Sequence, residues 1–143
     1  MSFDLRIKNG DLSIGTDGDL QKVENTDKLI QDILKVATTP LGGNPFFPWY
    51  GSPVARTLIG SPFQMDMIGT IAADQLKSAL ERLQQLQTLQ SSSGQRVTAF
   101  ELLAALQEVR IERNQSDPRY FKVIIKALTK ALTSASTTFE IGL

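Results

Sequence analysis

Residues 39–52, TPLGGNPFFPWYGS, gather three prolines, three glycines and four aromatic side chains into one connector, a mixture that neither a helix nor a strand accepts. Proline fixes φ and lacks a donor, glycine opens positive φ, and the residue before each proline is pushed toward extended backbone. A solvated tether would not carry Phe46, Phe47, Trp49 and Tyr50, whose apolar area favours burial in this chain or against a partner. The segment is therefore predicted to be an ordered loop shaped for docking, and every regular element has to be placed around it.

Two absences narrow the chemistry. With no cysteine and no histidine, the chain has no disulfide, thiolate nucleophile or imidazole for acid–base work, and lacks the side chains of the common zinc sites. No glycine-rich phosphate loop, serine elbow or metal-ligand spacing appears, so no cofactor is expected. Fifteen basic residues balance fifteen acidic ones without a block of either sign that would track a phosphate backbone, which argues against nucleic acid as a partner. The start, MSFDLRIKNG, lacks an apolar signal core, and no apolar run is long enough to span a bilayer. A soluble chain made in the cytoplasm is expected, and 143 residues suit one domain, 1–143.

Hydrophobic spacing then assigns the elements. Phe3, Leu5 and Ile7 alternate with charges, Asn9-Gly10 is a hairpin turn, Leu12 and Ile14 continue the alternation, and Asp17-Gly18 turns again toward Val23. A β-meander accounts for the repeated GDL better than a calcium loop, because the ligand spacing and terminal glutamate of an EF-hand are missing. Asn25 or Thr26 is placed to cap a helix with Leu29, Ile30, Ile33, Leu34 and Ala37 on one face. After the loop, 54–59 suits a short helical turn, and Gly60-Ser61-Pro62 interrupts it. A long helix over 66–90 carries Ile68, Ala72, Leu76, Ala79, Leu83 and Leu86 in a stripe that suits either a coiled coil or, by default, packing on the domain's own sheet.

Thr98 with Glu101 reads as a capping box opening a third helix with Phe100, Leu102, Leu103 and Leu106 on its buried face. From Glu108 the period becomes two, with Val109 and Ile111 opposite Glu108, Arg110 and Glu112. Strands over 120–128 and 137–141 complete a C-terminal hairpin. The predicted class is α+β: a mainly antiparallel sheet, built from an N-terminal meander and C-terminal strands, packed against about three helices.

The NGDL meander, TPLGGNPFFPWYGS after a first helix, and ALQEVRI leading into terminal strands occur together and in order over almost the whole chain. In this the chain resembles the baseplate wedge proteins of contractile phage tails, also called tail sheath initiators, whose relatives include a baseplate subunit of type VI secretion systems. The family's Thr-Pro-x-Gly and Pro-x-Tyr-Gly-Ser segments are matched by Thr39, Pro40, Gly42, Pro48, Tyr50, Gly51 and Ser52, which with Phe46, Phe47 and Trp49 form the candidate docking loop. Trp49 stands where relatives often have an acid. The family's Glu-Pro-Arg motif falls on Glu108, Val109 and Arg110, keeping both charges and losing the proline.

The resemblance implies a structural part of a virion tail baseplate, synthesised in the host cytoplasm, with six copies around the tail axis. Its partners would be the tail sheath protein, baseplate wedge proteins and other baseplate or hub and tube subunits. Glu108, Val109 and Arg110 would seat it on the helical core of the wedge, whereas residue types alone allow them to be a solvated strand face. The terminal strand, with Thr137, Thr138, Phe139, Glu140 and Ile141, would offer an edge to an incoming sheath strand, and removing 136–143 is expected to leave a folded domain that no longer nucleates sheath.

Two other classes compete. Members of the family are often labelled lysozyme-like, but glycoside cleavage generally needs two carboxyl groups in a cleft, one of them held protonated. Glu101 is expected to serve a helix cap, Glu81 to lie among glutamines and Arg82 on a solvated helix face, Glu112 to have Arg113 beside it, and Arg110 to lower the pKa of Glu108, so the chain is expected not to be an enzyme. A relative of the same fold is a regulatory adaptor that binds a response regulator; the full docking loop and the charged motif weigh against that role.

Overall fold

The computed structural model describes residues 2–60 and 65–142. Four short strands, β1 (Asp4–Leu5), β2 (Ile7–Lys8), β3 (Asp11–Leu12) and β4 (Lys22–Val23), precede the helices α1 (Asn25–Thr38), α2 (Val54–Gly60) and α3 (Met65–Ser92). Three long strands follow, β5 (Leu103–Arg113), β6 (Tyr120–Thr129) and β7 (Ser134–Gly142). They form one antiparallel sheet in the order β5-β6-β7. The class is α+β, as the hydrophobic spacing indicates.

The N-terminal segment turns where expected: Asn9 and Gly10 have φ of 53° and 80°, the paired positive values of a tight hairpin turn. It closes more tightly than a meander, because β1 pairs with β4, β2 with β3, and Ile14 bridges to Leu20. At the centre Arg6 N–H donates to Gln21 O, Gln21 N–H to Ser13 O and Ser13 N–H to Arg6 O, at 2.8–2.9 Å, a ring in which each segment bonds both others. Gln31 of α1 holds this triangle: its amide donates to Leu5 O and Asp4 and accepts from Ile7 N–H. Lys35 also pairs with Asp4. Because these polar contacts fix the triangle from one side, Phe3, Ile7, Leu12, Ile14 and Leu20 remain exposed rather than half-buried.

The core lies between the helices and one face of the sheet. Leu29, Ile33, Val36 and Ala37 of α1, and Ile68, Ala72, Leu76, Ala79, Leu80 and Leu83 of α3, pack with Leu103, Ile111, Phe121, Val123, Ile125, Ala127 and Ala135 of the sheet. The apolar stripe of α3 thus packs within its own domain. Neither Asn25 nor Thr26 caps α1: the cap position is Glu24, without a side-chain cap bond, and Asn25 Oδ1 instead accepts from the Thr98 hydroxyl at 2.9 Å. Of the predicted Gly60-Ser61-Pro62 interruption, Ser61 and Pro62 lie outside the described residues.

The third helix predicted from Thr98 is absent; 98–102 form turns, and the chain enters β5 at Leu103. Two irregularities explain the misleading spacing. The register with β6 shifts between Leu103 and Ala105 and again between Leu106 and Glu108. Each extra residue sets the inward side chains Leu103, Leu106 and Val109 three apart before the period of two resumes at Ile111, so bulges imitate helical spacing. The terminal strand is longer than the predicted 137–141, and it inserts Ala135, Phe139 and Ile141 against the core. Removing 136–143 would uncover Phe121 and Val123, so that truncation challenges the fold itself.

Candidate functional site

The docking loop begins where α1 ends and is closed at its neck. Pro40 and Ser52 form a parallel bridge, Ser52 N–H donates to Thr39 O at 2.9 Å, and Leu41 N–H donates to Ser52 O at 3.2 Å. Gly51 sits at φ 105°, where a Cβ would lie 2.5 Å from Thr39 O, so both conformation and space require glycine. Arg82 of α3 donates to Gly51 O at 3.3 Å, and the Ser52 hydroxyl accepts from Val54 N–H at 3.2 Å. Inside this neck Asn44 accepts from Phe46 N–H through its side chain and from Phe47 N–H through its backbone.

A closed neck with an internal turn holds the aromatic residues outward. Phe46 is 85% exposed, Phe47 and Trp49 about half, and Phe47, Trp49 and Tyr50 meet edge to face at centroid distances of 5.7 and 6.5 Å. Tyr50 alone turns inward against the core. Burial, with Asp32 and Asp4 nearby, raises its pKa above the usual phenol value. The loop is ordered by its backbone and presents an apolar tip, while Pro40, Gly42 and Pro48 shape its course.

Glu108 and Arg110 lie on the outer face of β5, with Val109 turned to the core. Their charges are already engaged: Lys126 pairs with Glu108 at 2.9 Å, Arg110 with Glu108 at 3.5 Å and with Glu112 at 2.9 Å. Glu108 and Lys126 are opposite one another across β5 and β6, a partner invisible in the sequence until register is known. The Lys126 hydrogen bond and charge, helped by Arg110, hold the Glu108 carboxyl below its usual range. That favours a carboxylate that accepts hydrogen bonds over a general acid.

Thr137, Thr138, Phe139, Glu140 and Ile141 lie in β7, an edge of the sheet. Its inner side bonds β6 from Ser134 to Gly142, and among the described residues no other element bonds its outer side. The opposite edge is treated differently. Gln87 of α3 accepts from Leu103 N–H at 2.8 Å and donates to Glu101 O at 3.0 Å, and Gln84 donates to Ala104 O at 3.0 Å. Helix amides thus stand in for a strand at the start of β5. Local spacing gives no hint of this; the usable signal in the sequence is an amide, donor and acceptor at once, repeated at helical spacing.

Glu101 is not a helix cap. It is 1% exposed, accepts from the Ser2 hydroxyl at 2.5 Å, and its Oε1 has no hydrogen-bond partner among the described residues. A carboxyl so enclosed is not presented to a polymer. The loop, the charged ladder and the free edge therefore occupy separate surfaces, with β5 and β7 on either side of β6, and they do not converge on one cleft.

No protein-family model and no curated protein matches the chain. Among solved structures its fold is similar to that of a Geobacter sulfurreducens protein provisionally named a tail lysozyme, with a TM-score of 0.58 and 12% sequence identity over 80% of this chain and 87% of that one. At that identity the likeness speaks for the fold alone: this chain shares the fold of a protein named for a tail.

Proposed function

We propose that the chain is a non-enzymatic assembly component of a contractile tail baseplate, joining wedge proteins to the sheath and starting sheath assembly by lending β7 as a template edge. The observation that carries this reading is the unpaired outer side of β7 along Ser134–Gly142. An unpaired edge of this length recruits a further strand readily, and β7 is not blunted by proline. Exposed apolar side chains on the loop tip and on the N-terminal triangle give further surfaces suited to burial against neighbours. The Glu108–Arg110 ladder is the proposed wedge contact, which would exchange intramolecular partners for a carboxylate–guanidinium pair on the wedge. Six copies would surround the tail axis, as the sequence resemblance implies.

The test uses a candidate tail sheath protein and two single variants, Thr137→Pro and Thr138→Pro. Successive strand residues direct their N–H groups to opposite sides, so one proline removes a bond to β6 and the other removes an outward donor. We expect one variant to lose stability and the other to stay folded yet fail to seed sheath polymerisation. A folded variant of each kind that seeds sheath normally would refute strand lending.

The neighbour's provisional name suggests a second reading, a peptidoglycan-cleaving enzyme. Turbidity clearance by the purified protein, abolished in Glu101→Gln or Glu108→Gln, would establish it; we expect no clearance.

A further inference from the structure

The edge of β5 is covered by α3 only at its start. Beyond the contacts of Gln84 and Gln87 a groove of about 590 Å³ lies between α3 and β5. All five residues from 109 to 113 line it. Consecutive strand side chains point to opposite faces, so five in a row border one cavity only where it runs along the strand's edge. Across the groove stand Gly69, Thr70, Ala73, Asp74 and Lys77 of α3, of which Gly69 and Ala73 project little into it. Among the described residues no side chain of α3 bonds the β5 backbone here, in contrast to 101–104.

The charges around the groove are unequal. Asp74 lies 3.8 Å from Lys77, and Arg110 is held by Glu108 and Glu112. Arg113 stacks over the Phe121 ring at 5.4 Å and has no carboxylate partner among the described residues. Among the described residues, then, the guanidinium at the end of this strand edge has no carboxylate paired with it, and no backbone bond covers the edge.

We infer that the groove between α3 and β5 is a second strand-accepting site, which takes an extended segment of another protein along 109–113 with an acidic side chain on Arg113. Five residues of extended chain span about 16 Å, and backbone bonds would give the segment affinity while the guanidinium selects its charge. Two accepting edges, β7 and this one, would let one copy join two different chains through a single sheet. The inference needs only an extended acidic partner and stands whether or not β7 meets a sheath.

The probe is a ten-residue blocked peptide alternating threonine and valine, with one central glutamate, compared with the same peptide carrying lysine there. Binding is followed by fluorescence anisotropy, and amide hydrogen exchange locates it. We expect the glutamate peptide to bind at least tenfold more tightly than the lysine peptide, to slow exchange at 109–113, and to lose that preference in Arg113→Gln. Gly69→Gln, which places in the groove the same amide plug that Gln84 supplies, should weaken binding at least tenfold without lowering the melting temperature. Equal binding of the two peptides, protection confined to 134–142, undiminished binding to Gly69→Gln, or no binding at all would overturn the inference. Protection of 109–113 by self-association without peptide would assign the edge to a second copy and overturn it as well.

Discussion

Gly51 and Asp4 show how single residues hold the docking surfaces in place. At Gly51 a methyl group would meet the Thr39 carbonyl in a left-handed backbone, so Gly51→Ala should destabilise the fold by about 1–3 kcal/mol, read from urea unfolding. Asp4 is pulled two ways: burial pushes its pKa up, but the Lys35 hydrogen bond, the Leu5 N–H, the Lys35 charge and Gln31 together bring it below the usual value. A carboxylate with a lowered folded-state pKa adds stability above its unfolded value of about 3.9 and loses it as pH falls through the folded value. The stability gap between the native chain and Asp4→Asn should therefore be present at neutral pH and shrink below about pH 4, as urea midpoints measured across that range would show.

Among the elements, α3 does more than bury a stripe. Gln87→Leu leaves Glu101 O and Leu103 N–H without their partner in a buried setting, at about 1–3 kcal/mol for each group. Gln85→Leu, on the exposed side, should change stability by no more than about 0.5 kcal/mol; chemical denaturation of both variants checks the contrast. The same elements show what the sequence could and could not disclose. Asn9-Gly10, the stripe of α3 and the β-forming residues of β6 were legible because each depends on neighbours in the chain. The start of β5 was misread because its bulges place Leu103, Leu106 and Val109 three apart. Lys126 as the partner of Glu108, and the glutamines as edge caps, depend on register and helix placement, which local spacing does not contain. The loop was legible as ordered and aromatic, but only the neck contacts to Thr39, Arg82 and Val54 explain why its tip faces outward.

For the whole molecule, three dispersed surfaces on one small α+β core suit a part that holds other chains. A cleft enzyme would gather its acids; here Glu101 is enclosed and Glu108 is held in its charged form. The unpaired β7 edge is the feature on which the proposed role rests, and amide hydrogen exchange of 134–142 in the free protein and in the sheath-bound baseplate tests it directly. Alternate amides along β7, those facing away from β6, should exchange rapidly in the free chain and become strongly protected on assembly. Outward amides that exchange equally fast in both states would contradict strand lending by β7.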